Sequence, residues 1–118
     1  MPRFRLSGLA QADLAGILAT SDENWGAAGR TRYAATIAAA MQQIAADPNG
    51  PTTRDRSLLS PGIRSFHLRH VVIAVRRPVH VLYYRLAAPD LVEIVRVLHE
   101  SMEPSRHLGA STDTEKPP

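Results

Sequence analysis

Cysteine is absent from this sequence and lysine nearly so: Lys116 is the single lysine beside thirteen arginines. Without cysteine, disulfides, thiolate nucleophiles and thiolate metal sites are excluded. Aromatic residues make up only 5% of the chain, too few for a base-stacking platform of the kind that holds single strands. No apolar run approaches the roughly 20 residues needed to span a bilayer. The opening Met1-Pro2-Arg3-Phe4-Arg5-Leu6 lacks the apolar core of a secretory signal. A glycine-rich phosphate loop, a dinucleotide fingerprint and a Gly-x-Ser-x-Gly elbow are also missing, which leaves small-molecule metabolism with little support. At 118 residues, a single cytoplasmic domain is the simplest expectation.

What is present is an uneven distribution of charge. Residues 48–89 carry Arg54, Arg56, Arg64, Arg69, Arg76, Arg77 and Arg85 against Asp55 alone. The flanking segments are neutral on the N-terminal side and acidic on the C-terminal side. A basic block of this kind favours an anionic partner, and arginine suits bidentate pairing with carboxylate or phosphate.

Hydrophobic periodicity sets the expected elements. Residues 3–6 alternate as a short strand would. Ser7 is placed to cap a helix over residues 8–23, where Leu9, Leu14, Ile17 and Leu18 form the apolar stripe and Asp13 falls outside it. Asn24-Trp25-Gly26 breaks that helix, and a second runs from 27 to 46 with Tyr33, Ile37, Met41 and Ile44 on one face. Asp47-Pro48-Asn49-Gly50-Pro51 stops it. Residues 51–62 read as a polar linker. Strands are expected at 63–70, 79–86 and 91–99, with 71–75 either extending the first or standing alone. The resulting class is α+β, two layers in the order β-α-α-β-β-β, with a helical hairpin on a small antiparallel sheet. Residues 1–108 would form the domain and 109–118 a disordered tail. Alanine-rich helix faces beside the sheet also leave room for a groove that takes an amphipathic partner segment.

Few residues offer chemistry. His67 and His70 are three apart, which on a strand points them to opposite faces, so no metal site is expected. Tyr83 and Tyr84 are adjacent, so one should be core and the other exposed. His99 ends the last strand and is followed by Arg106-His107-Leu108. With Arg64 and Arg85 on neighbouring strands, it could act as an acid or base on a phosphodiester; the plainer alternative is a strand-ending histidine among arginines that bind an acidic partner.

The ordered set of residues resembles the ParE branch of the RelE/ParE toxin superfamily over about residues 3–108. The likeness rests on Leu6-Ser7, Ala12-Asp13-Leu14 and Ile17, then Trp25-Gly26, Tyr33, Ile44 and Pro48. It continues through Pro61-Gly62-Ile63-Arg64-Ser65-Phe66 and is strongest in Val79-His80-Val81-Leu82-Tyr83-Tyr84-Arg85, Glu93-Ile94-Val95-Arg96-Val97-Leu98-His99 and Arg106-His107-Leu108. The connection 69–77 departs from the branch by being shorter and more apolar. The resemblance implies a toxin of a type II toxin–antitoxin pair that inhibits DNA gyrase without being an enzyme. It implies a ParD-like antitoxin as partner, no cofactor, and no sequence-specific nucleic-acid binding by the toxin alone. On that reading Arg64, Arg69 and Arg85 anchor the acidic antitoxin, and His99, Arg106, His107 and Leu108 form the toxic surface. The alternative is a RelE-like, ribosome-dependent mRNA endonuclease with Arg64, Arg85 and His99 at its active site.

Overall fold

Backbone groups of the last strand organise the molecule. The computed structural model describes residues 3–71 and 77–108. Five strands form one sheet in the order β1-β5-β4-β3-β2, with β1 at Arg3–Leu6, β2 at Thr53–Asp55, β3 at Arg64–His67, β4 at His80–Ala88 and β5 at Leu91–His99. β1 runs parallel to β5, and the remaining pairs are antiparallel. The α+β class and the helical hairpin are as expected from the sequence.

The sheet itself differs from expectation in two ways. It is mixed, because β1 joins β5 in parallel after the helical crossover. It also gains β2 from within the expected linker, a three-residue edge strand whose Thr-Arg-Asp sequence has no apolar alternation to announce it. β3 is shorter than expected: it ends at His67, and Leu68–His70 form a 3-10 turn. Most of the 71–75 segment, the core of the 69–77 connection and the proposed tail 109–118 lie outside the described residues.

Helix α1, Gly8–Ala46, is continuous except at Gly26, where φ is 73° and ψ is −177°. A straight helix of that length would span about 58 Å at 1.5 Å per residue, yet the longest extent of the molecule is 41 Å. The chain therefore reverses at Gly26, and glycine takes that positive φ without steric cost. Gly29 serves the same corner: a Cβ there would lie 2.4 Å from Trp25 Cβ. Ser7 caps the helix, its Oγ accepting from Ala10 N, and Asp47 closes the other end.

Both arms of α1 pack on one sheet face. Ala10, Tyr33, Ile37, Ala40 and Ile44 meet Phe66, Leu68, Leu82, Tyr84, Val92, Ile94 and Val97 in the main core. Tyr83 points to the other face, where it joins Ile63, Leu98 and Leu108. Both tyrosines are thus buried, 5% and 1% exposed, and neither is free to stack. A bulge in the β4–β5 register, between the pairs Tyr83↔Arg96 and Tyr84↔Ile94, inserts Val95 as an extra residue. Strict alternation would send Ile94 and Val97 to opposite faces; the bulge lets both reach the main core.

β1 covers β5 only as far as Ile94. Beyond it, side chains take over the edge. Ser7 Oγ donates to the Val95 carbonyl at 2.7 Å, and the Val97 amide donates to Asp13 Oδ2 at 2.9 Å. Asp13 also receives Arg96 Nε and Nη2 at 2.8 and 2.9 Å. Asp13 is therefore not outside the packed surface, as the helical stripe suggested; it and Arg96 are only 15% and 14% exposed. That partner holds the Arg96 guanidinium pKa above its usual value.

Removing one member of a buried, bidentate pair leaves a charge without compensation and costs about 3–5 kcal/mol. Asp13→Ala should therefore lower the melting temperature by on the order of 10–20 °C for a domain of this size. The double variant Asp13→Ala/Arg96→Met should recover a large part of the loss. Equal destabilisation in the single and double variants, measured by thermal unfolding, would show that the pair is not what holds the edge.

Candidate functional site

Where the Asp13–Arg96 pair ties the first arm of α1 to β5, the two arms and the sheet diverge. Between them opens a groove of about 1550 Å³. Asp13, Gly16, Ile17 and Thr20 line it from the first arm, Trp25 and Gly29 from the corner, and Arg32, Tyr33 and Thr36 from the second arm. The ends of β4 and β5 supply Val79, His80, Leu98 and His99, and Met102 and His107 follow. Small residues on the helices leave the space open, while Trp25 and Met102 stay 63% and 44% exposed at its mouth.

The floor is a hydrogen-bonded set of rings. The Val79 amide donates to Tyr33 Oη at 3.3 Å, and Tyr33 Oη lies 2.6 Å from His80 Nδ1. Burial pushes the Tyr33 hydroxyl pKa upward, so it keeps its proton. His80 packs edge-on against both Tyr33 and His99, with centroids 5.5 Å apart in each case. Burial, then the neighbouring His99 and His67, pushes the His80 pKa down to about 4. His99 Nδ1 accepts from the Ser101 amide at 3.0 Å. Next to it, His67 Nε2 pairs with Glu100 Oε1 at 2.7 Å, and His67 Nδ1 accepts from Arg69 N. Both nitrogens of His67 are thus engaged, while His70 packs its ring against Phe66.

The residues singled out in the sequence do not converge. His99 and His107 line the groove. Arg106 is exposed. Leu108 is 2% exposed in the second core and cannot present a surface, which corrects its place in the expected toxic patch. Arg64 bonds Thr53 Oγ1 through Nε and Nη2 at 3.3 and 2.8 Å. Arg85 pairs with Glu93 at 2.9 Å, and Arg5 reaches the same carboxylate at 3.4 Å. His99 is paired with His80, five residues along β4 from Arg85. At about 3.4 Å per residue that is roughly 17 Å, so Arg85 does not share a site with His99. Arg69 is exposed on the 3-10 turn and has no ion pair among the described residues.

Four residues of the groove carried no role in the sequence. Tyr33 read as core and Asp13 as surface; His80 and Trp25 belonged to quoted motifs with no chemistry attached. The Tyr33–His80 contact spans 47 positions, and no local pattern encodes such a pairing.

The fold is similar to that of a chain of the "Chromosomal ParDE TA system from P. aeruginosa". That match has a TM-score of 0.62 at 18% identity and covers 84% of this chain and 95% of the other. Residues 4–104 match the family model described as ParE toxin of type II toxin-antitoxin system, parDE, and the chain belongs to that family. Toxin ParE1 of Caulobacter vibrioides is 36% identical over 109 residues, covering 92% of this chain and all of the relative. Toxin ParE1 of Mycobacterium tuberculosis is 29% identical, with 90% and 97% covered. Toxin ParE of Escherichia coli is 31% identical, with 87% and 89% covered. Among the described residues, no helix is long and apolar enough to cross a membrane.

The buried imidazole makes stability depend on acid. His80 titrates near 6.5 when exposed and at about 4 in the fold. The unfolded chain therefore takes up a proton that the folded chain refuses between those values. Its contribution is complete above pH 6.5 and is lost as pH falls to 4. Denaturant midpoints compared at pH 7 and pH 4 should show this slope in the native chain and lack it in His80→Gln. An identical slope in both proteins would assign the acid sensitivity to other groups.

Proposed function

We propose that this ParE-family toxin acts by binding and inhibiting DNA gyrase in the cytoplasm, without enzymatic activity of its own, and that a ParD-like antitoxin neutralises it. Family membership supplies the toxin class. The observation that favours a binder over a ribonuclease is the distribution of the expected acid–base set. Arg85 is held by Glu93 and Arg64 by Thr53, while His99 stands at the far end of the β4–β5 hairpin. General acid–base chemistry on a phosphodiester needs those groups within hydrogen-bond reach of one reacting centre. A protein interface has no such requirement. Arg69 is an exposed cation suited to an acidic antitoxin segment; Arg85 is exposed with its charge shared with Glu93, and Arg64 is half-buried on β3. Arg106 and the half-buried His107 leave a separate surface for the toxic target.

Pulse-labelling after inducing the chain alone in a bacterial host distinguishes the mechanisms. Thymidine incorporation should fall first while amino-acid incorporation continues; the reverse order would place the target on the ribosome. The antitoxin anchors have their own test. Arg69→Glu should weaken antitoxin binding about tenfold at low salt and less at high salt, since exposed charges act mainly through screened attraction. Affinity unchanged at any ionic strength would mean that apolar burial alone drives the association.

A further inference from the structure

We infer that the floor of the groove is a carboxylate-binding site, formed by the Nε2–H groups of His80 and His99 and fitted to an acidic side chain on a partner protein. The proposal extends the reading that a protein partner holds this chain, and it names a place distant from Arg85 and a chemistry different from an arginine pair.

Both tautomers are assigned from the hydrogen bonds at Nδ1. Tyr33 Oη accepts the Val79 amide and lies 2.6 Å from His80 Nδ1, and with the Tyr33 hydroxyl as donor in that contact its proton goes to Nδ1. His80 in its neutral form then carries its hydrogen on Nε2. The Ser101 amide donates to His99 Nδ1, which leaves the hydrogen of that ring on Nε2 as well. The rings stand 5.5 Å apart at 81° and both line the groove. Neither Nε2 has a partner among the described residues. Every buried side-chain nitrogen or oxygen among those residues does have one, so both Nε2 atoms are accessible, on residues that line the groove.

Two N–H donors on adjacent, perpendicular rings suit an oxyanion, and with their hydrogens on Nε2 neither offers a lone pair there to a metal ion. Charge points the same way. Asp13 is the only carboxylate lining the groove among the described residues, and Arg96 and the Val97 amide use it fully. Arg32 and Arg77, which also line the groove, have no ion pair among the described residues. The surroundings select the source of the anion. Ile17, Val79, Leu98 and Met102 give apolar walls, and Trp25 stands exposed at the mouth. Apolar residues flanking a carboxylate on a peptide fit such walls. A nucleic-acid backbone would need a continuous cationic track, which the two rim arginines do not make.

Long-range proton–nitrogen spectra of the imidazoles in the full chain read both the tautomers and the binding. The free protein should show Nε2–H on His80 and His99. Adding N-acetylglutamate amide should shift both Nε2–H signals and leave His70 unmoved, while N-acetylglutamine amide should have no effect. His99→Phe should weaken the response at His80 roughly tenfold, and His99→Gln, which keeps an N–H donor, should restore part of it. A Nδ1–H tautomer on either ring, no response to the glutamate probe, or a response to inorganic phosphate alone would overturn the proposal. The last result would make a nucleic-acid backbone the ligand. Thymidine incorporation in induced cells reads toxicity separately, so failure of the site and failure of the gyrase reading give different results.

Discussion

The Asp13 carboxylate is the constraint on which the rest of the molecule depends. β1 is too short to cover the edge of β5, and a sheet edge left bare inside a fold leaves backbone donors without partners. Asp13 replaces the missing strand by accepting the Val97 amide, and it accepts two bonds from Arg96 at the same time. The first arm of α1 is thereby locked to the sheet. Arg96 Nη1 also lies 3.4 Å from the His107 carbonyl, which ties in the segment after β5. One buried ion pair thus joins helix, strand and C-terminal turn, and the groove opens beside it. A charged pair at this position costs desolvation that an apolar pair would not, but only a carboxylate can both take the edge amide and hold a guanidinium.

Local patterns carried much of the fold into view. Ser7 as a cap, Gly26 as the reversal, Pro48 as the stop and the β-branched runs at 79–86 and 91–99 each have a short-range physical cause, and each stands where expected. β2 was not legible because three polar residues on a sheet edge have no period. The bulge at Val95 was not legible either, since the Val92–Leu98 run, apolar except at Glu93 and Arg96, alternates too loosely to show where a residue is inserted. Asp13 misled for a related reason. Helical periodicity places it among polar neighbours, and only the short reach of β1, a property of the whole sheet, gives a carboxylate work to do there.

The candidate site was half visible. His99 and His107, which the sequence singled out, border the groove. Their partners were hidden, because Tyr33 and His80 are brought together by the packing of the second arm of α1 on β4. The arginines show the opposite failure. Arg64 and Arg85 stood out in sequence as a phosphate-holding pair, but a strand's side chains are spent first on their cross-strand neighbours. Glu93, between Arg5 and Arg85 on three adjacent strands, uses that charge for the sheet. What remains beside the sheet is a pair of adjacent histidine rings, exposed cations and an apolar-walled groove.

A supercoiling assay with purified DNA gyrase and the purified chain tests the central claim most directly. The expected result is dose-dependent loss of supercoiling, with mRNA on translating ribosomes left intact by the same preparation. Undisturbed gyrase together with cleaved ribosome-bound mRNA would contradict it and restore Arg64, Arg85 and His99 as an active site to be explained.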